Sequence, residues 1–205
     1  GVNQKHSGVE LETNYMVNDM LDLMFVASFG NWKFDGDANG NYQETEYNSE
    51  GQAIGYTTTE YAYALDGLYV GDMPQTSYVL GVTLKPIKDL RIQAIHKMYD
   101  KNYSDWSPSA REFDGTNDDA DRAQVWEAPS YNRLDLHMSY KLPKVKDLDM
   151  MLTANIFNVL DEVYVQDAVD NSQYNGYGSK QHLPHNAEVF LGTPRYANIG
   201  LSIGF

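Results

Sequence analysis

The chain has 205 residues, with 29 acidic against 15 basic and a formal net charge of −14. It lacks the clustered Lys and Arg that phosphate contacts draw on, which argues against a nucleic-acid partner. It has no Cys, which removes disulfides, thiol nucleophiles and thiolate metal sites together. No apolar run approaches the roughly 20 residues that a helix needs to cross a bilayer.

A mean hydropathy of −0.53 still allows a membrane barrel, whose alternating strands keep the average low. The 16 Tyr against 7 Phe suit a surface with one apolar and one wet side. That fits either the aromatic girdles of a barrel or the binding face of a soluble β-sandwich. The chain opens on Gly1, with no initiator Met, charged leader or apolar leader segment, as expected of a mature or truncated polypeptide.

Seven runs of period-2 alternation follow in chain order, and period 2 predicts strands. The first, Gly8 to Met16, sets Val9, Leu11, Thr13 and Tyr15 against Glu10, Glu12 and Asn14. In the second, Leu21 to Gly30, Leu21, Leu23, Phe25, Ala27 and Phe29 share a face, while Met24 and Val26 leave the other only weakly polar. The third, Ser77 to Lys85, carries Tyr78, Leu80, Val82 and Leu84 on its apolar side, and the fourth, Leu90 to Tyr99, carries Leu90, Ile92 and Ala94. The fifth alternates Leu134, Leu136, Met138, Tyr140 and Leu142 with Arg133, Asp135, His137, Ser139 and Lys141. The sixth sets Leu148, Met150, Leu152, Ala154 and Ile156 against Asp149, Thr153 and Asn155. The last sets Ala197, Ile199, Leu201, Ile203 and Phe205 against Asn198, Gly200, Ser202 and Gly204.

The connections alternate in length. Those at 17–19, 86–88 and 143–147 are tight, and those at roughly 35–75, 104–129 and 161–194 are long. Short turns therefore collect on one edge and long loops on the other, the asymmetry of short periplasmic turns and long extracellular loops in bacterial barrels. The expected fold is all-β, an antiparallel meander of about seven strands. Seven is odd where a closed single-chain bacterial barrel is even, so the barrel is expected to be incomplete, with two unpaired edges and a broad apolar face.

Five stretches, Gly8–Glu12, Ala27–Trp32, Val70–Thr76, Asn155–Leu160 and Tyr196–Phe205, in this order and spacing, make the chain resemble the TonB-dependent receptors in the form common among Bacteroidetes. The resemblance implies a 22-stranded transmembrane barrel with a plug domain upstream. Residues 1–205 would be its C-terminal portion, strands sixteen to twenty-two. It further implies residence in the Gram-negative outer membrane, no enzymatic activity, and uptake of a scarce small-molecule ligand such as a ferric siderophore, haem, cobalamin or an oligosaccharide. The partners it implies are the lipid bilayer, TonB reached through the plug, and the barrel-assembly machinery. The terminal Ile199, Leu201, Ile203 and Phe205 resemble the signal that this machinery reads.

Four further features carry local expectations. Asp35, Asp37, Asn39 and Gly40, with Glu46 eleven residues after Asp35, satisfy a calcium-loop expression. No helix flanks them, however, and acidic Gly/Asn stretches also make plain turns. His182 and His185 could face one metal or haem, but Pro184 forbids their helical pairing and no third ligand is evident. Asp118, Asp119 and Asp121 lie in a Gly/Asn/Asp-rich stretch with no strand to fix a catalytic separation. Tyr61, Tyr63, Trp106, Trp126, Tyr174 and Tyr177 fall in the long connections, where a ligand would be gripped or an upper girdle formed. The alternatives are a soluble β-sandwich carbohydrate-binding module and a non-transporting barrel or adhesin.

Overall fold

The computed structural model describes residues 1–112, 122–170 and 182–205. In chain order the elements are β1 (Gln4–Asn18), β2 (Leu21–Phe34), β3 (Ala38–Tyr47), β4 (Ala53–Tyr63), β5 (Thr76–Leu84), β6 (Leu90–Asp100), β7 (Asn102–Tyr103) and β8 (Asp105–Trp106). There follow the short helix α1 (Pro108–Arg111), β9 (Glu127–Ala128), β10 (Tyr131–Lys141), β11 (Asp149–Phe157), β12 (Val165–Asp170), a 3-10 turn (Pro184–Asn186), β13 (Glu188–Leu191) and β14 (Tyr196–Gly204).

The seven runs form one sheet in the order β1-β2-β5-β6-β10-β11-β14, every neighbour antiparallel. This is the expected meander. Among the described residues no second sheet stacks on it in Greek-key order, which sets the β-sandwich alternative aside. The register joins the alternating faces across all seven strands. One row runs Tyr15, Leu23, Val82, Ala94, Leu136, Ile156, Ala197, entirely apolar or aromatic. The adjacent row on the opposite face runs Met16, Asp22, Thr83, Gln93, His137, Asn155, Asn198. Because side chains alternate with period 2, a slip of one residue would exchange these faces, so the register and the pattern fix each other.

Among the described residues nothing covers the apolar face: Leu11, Leu80 and Ile199 are 54%, 53% and 79% exposed. The sheet is open, with β1 and β14 paired on one side only. At its tight-turn rim the Asn18 side chain accepts a hydrogen bond from Met20 N at 2.8 Å, closing the β1–β2 turn. Lys85 pairs with Asp22 at 2.6 Å.

The long connections are not bare loops. β3 and β4 make an exposed hairpin, β12 pairs antiparallel with β13 and parallel with β8, and β7 pairs with β9. β1 and β2, at 15 and 14 residues, rise roughly 45 Å at about 3.3 Å per residue. That overshoots an apolar band about 25 Å tall and carries Phe34 up into this assembly. The core of the molecule sits there, built from Phe34, Ala38, Leu65, Leu68, Tyr103 and Val125.

Candidate functional site

The overshoot of β2 is what seeds the plate at the long-loop end. Phe34 packs edge-on against Trp106 of β8, with ring centroids 6.4 Å apart and planes at 89°. Trp106 leans on Tyr63 at 5.6 Å, and Tyr63 stacks on Tyr61 at 6.4 Å and 21° along one face of β4. Gly40, opposite Tyr61 in the hairpin, is small where the Tyr63 ring crosses: a Cβ there would stand 3.1 Å from its Cε2. A second stack joins Tyr69 to Tyr103 at 4.1 Å and 9°, with Lys33 Nζ 4.5 Å from the Tyr69 ring centroid. Burial pushes the Tyr103 hydroxyl well above its ordinary range.

Arg111 pins this plate together. It is fully buried. Its carbonyl accepts a hydrogen bond from Ala64 N at 2.8 Å. Its guanidinium donates to the Ala123 carbonyl and, at 3.1 Å, to Asp170 Oδ2. His182 closes on the same carboxylate oxygen through Nδ1. Asp170 sits beside Trp106 in the β12–β8 register. One residue, through its carbonyl and its guanidinium, thus ties all three long connections at the level of the aromatic rings, and an opposite charge faces the guanidinium there.

Below the plate, the polar face carries a second network. Asp135 is buried; its carboxylate accepts from Lys97 Nζ at 3.0 Å and from Asn158 N at 2.9 Å, with Arg133 at 3.7 Å. Asn158 is itself buried and holds the root of the last connection, accepting from Glu162 N at 3.0 Å and donating to the Thr193 carbonyl at 3.2 Å. Arg133 donates to the Tyr164 hydroxyl at 3.1 Å, and Tyr164 stacks on Tyr131 at 4.3 Å. Across three strands, His137 Nδ1 meets Asn155 Oδ1 and Asn155 Nδ2 donates to Asn198 Oδ1, both at 2.8 Å.

A polar inner ladder, an apolar outer face and a folded plate over one rim are the parts of a receptor barrel. A family model described as TonB dependent receptor-like, beta-barrel, matches residues 2–159. The chain belongs to this family. Among solved structures, the ferric-catecholate import receptor Fiu of Escherichia coli K12, in its closed form, aligns over 98% of this chain at 17% identity and a TM-score of 0.39. The alignment takes up 28% of that receptor's length. No curated protein matches the chain in sequence.

The stretches that resemble TonB-dependent receptors turn out to hold the pins of the structure. Within Val70–Thr76, the Gln75 side chain accepts from Trp32 N at 2.9 Å and donates to the Trp32 carbonyl at 3.0 Å, splicing β2 to the end of the first long connection. Gly71 lies against the backbone of β8, where a Cβ would come within 2.6 Å of Asp105 N. Within Asn155–Leu160, Asn158 adopts a φ of 50° to make its turn.

Of the six aromatics singled out in the sequence, the structure brings Tyr61, Tyr63 and Trp106 into one series. Trp126 is half-buried and joins through its carbonyl, which accepts from Ser104 N at 2.9 Å and Ser104 Oγ at 3.0 Å. Among the described residues its ring pairs with none of the others. Tyr174, Tyr177, Asp118, Asp119 and Asp121 lie outside the described residues. Ile199, Leu201 and Ile203 line the apolar face of β14, and Phe205 follows its last residue, fully exposed.

The calcium-loop residues do not converge. Pairing with β4 draws β3 out straight, which sets Glu46 roughly 23 Å from Asn39 at about 3.3 Å per residue; Glu46 is bonded to Thr57 instead. Asp37 caps Leu65 N and Asp66 N at 3.0 Å each and receives Arg122 Nη1 and Nη2 at 3.1 and 2.8 Å. The Arg122 guanidinium holds its carboxyl below the usual range. Among the described residues no group of three or more His, Asp or Glu is arranged to hold a metal. His182 is buried on Asp170 while His185 is exposed, so the two imidazoles do not share a site.

Sequence reasoning missed Arg111, Asp170 and Asn158. The available signals were an arginine isolated within an acidic stretch and a polar residue closing the apolar sixth run.

Proposed function

We propose that this chain supplies wall and extracellular loops to an outer-membrane importer energised through TonB. TonB would act on a plug carried elsewhere in the receptor, and the barrel-assembly machinery would read the last strand. The observation that carries the reading is the continuous apolar face, exposed on six strands of an open antiparallel sheet and half-buried on β10. Water does not tolerate such a surface at this size, and a bilayer covers it. The other face would line the lumen, and the plate would receive the ligand, gripped by Tyr61, Tyr63 and Trp106. On this reading the chain is part of a transporter and does not catalyse.

A siderophore-like ligand is the first expectation for such a receptor, but charge supports a neutral alternative. The three long connections hold 20 of the 29 acidic residues and 3 of the 15 basic ones. A field of that sign slows the approach of polyanions and leaves neutral ligands, oligosaccharides included, unhindered. The test is growth of a strain lacking the receptor on limiting panels of ferric siderophores and neutral glycans. The receptor should restore growth on one source, and Trp106→Ala should weaken that rescue at normal levels of folded protein. Equal growth with and without the receptor on every source would overturn the reading.

A further inference from the structure

We propose that the polar face of the β1–β2 pair holds a binding notch for a hydroxylated ring, one sugar unit in size. The proposal rests on reading that face as the lumen wall.

The register stacks three rungs there: His6 opposite Trp32, Gly8 opposite Gly30, and Glu10 opposite Ser28. The middle rung carries no side chain of its own: the partner backbone crowds Gly8, and the Trp32 ring lies over Gly30. A Cβ on Gly8 would stand 2.7 Å from the Phe29 carbonyl oxygen, and one on Gly30 would stand 2.8 Å from Trp32 Cε2. The His6 and Trp32 rings, stacked at 5.5 Å and 19°, form a platform that reaches over Gly30 and leaves the space at Gly8 open. Below it stand a carboxylate and a hydroxyl. The rungs enclose an open cleft of about 370 Å³, at the small end of the roughly 300–1,000 Å³ common for ligand clefts.

The chemistry of the lining selects the ligand. The indole N–H donates, the Glu10 carboxylate accepts and the Ser28 hydroxyl does both. Among the described residues, none of these three groups has a hydrogen-bond partner in the protein. An anion would meet Glu10 with like charge, and an ammonium would leave the indole N–H unused. A ring bearing hydroxyls on its rim and C–H bonds on its face satisfies donors and acceptors together and lies flat on the aromatic pair. The notch would then be a holding point on the wall between the outer plate and the opposite mouth.

The test uses the full-length receptor purified in detergent, titrated calorimetrically with methyl β-glucoside, cellobiose and diacetylchitobiose as neutral probes and choline as a cationic one. At least one saccharide should bind saturably, and Glu10→Ala and Ser28→Ala should each weaken it at least tenfold. Heat-modifiable migration shows that the variants remain folded. The proposal is overturned if no saccharide binds, if neither variant changes the affinity, or if choline binds and is lost with Glu10→Ala. Membrane fractionation of the same variants separates the two readings. A receptor found outside the outer membrane sinks the importer reading whatever the saccharides do, whereas one found there without saccharide binding sinks the notch alone.

Discussion

Replacing Asp135 by Ala in the intact receptor tests the inner network at its most loaded point. The carboxylate is 1% exposed and faces Lys97 and Arg133, whose side chains are 29% and 21% exposed. Its removal leaves the buried Asn158 N–H without an acceptor, a loss of about 1–3 kcal/mol. Stripping one partner from a fully buried ion pair costs about 3–5 kcal/mol, but here both cations reach solvent and recover part of that. The net expectation is about 3 kcal/mol, concentrated where Asn158 roots the last long connection. At about 1.4 kcal/mol per factor of ten, the Asn158 and Glu162 amides should exchange hydrogen on the order of a hundredfold faster in detergent-solubilised receptor. Adding Lys97→Met should return part of the loss, since the uncompensated ammonium is then gone. Exchange at both amides within about threefold of wild type would refute the assignment of Asp135 as the anchor.

Three further outcomes follow from named contacts. Gly192→Ala should destabilise the same connection by about 2–4 kcal/mol, seen as a lower melting midpoint: a Cβ there would lie 1.9 Å from Tyr164 Cζ, and displacing that ring breaks its stack on Tyr131 and its bond from Arg133. Gly55→Ala, with nothing within 4 Å, should leave the midpoint unchanged. Because Arg122 lowers the Asp37 carboxyl below 3.8, their link contributes fully above the ordinary carboxylate range and is lost only as pH falls through the lowered folded value; protection of the Leu65 and Asp66 amides should persist to that point, and Arg122→Gln should move its loss to higher pH. Phe205→Ser should reduce the heat-modifiable receptor assembled in the outer membrane while ligand bound per folded molecule stays at wild-type level, whereas Trp106→Ala should do the reverse.

The wall was legible because period-2 alternation is a local signal that the register then repeats. Leu134, Leu136 and Met138 could be set against Arg133, Asp135 and His137 with no knowledge of their neighbours. The plate was not, because its elements are short and mutually dependent. β7, β8 and β9 are two residues each, below the length at which alternation can be seen. Arg111 and Asp170 are 59 residues apart in the chain, so only the fold discloses their pairing. The run from Asp35 to Asp72 holds eight acidic residues and no Lys or Arg, the composition of a solvated segment, and most of the β3–β4 hairpin within it is exposed. Leu65 and Leu68, within the same run, are nevertheless in the core. The Asp35–Glu46 spacing shows the converse: a linear expression takes no account of a partner strand that straightens the loop it presumes.

The claim on which the account stands is that one face of this sheet lies in lipid and the other in the water of the lumen. These 205 residues contain no Cys, so in an intact receptor with any cysteine elsewhere replaced by Ser, single cysteines can be placed at Leu134, Leu136 and Met138 and, in turn, at Arg133, His137 and Ser139, and spin-labelled in liposomes. The account predicts that labels at the first three positions relax with oxygen dissolved in the bilayer and are shielded from a water-soluble nickel chelate, and that labels at the other three show the opposite preference. Equal access of the nickel chelate to both sets, or the inverted pattern, would contradict it.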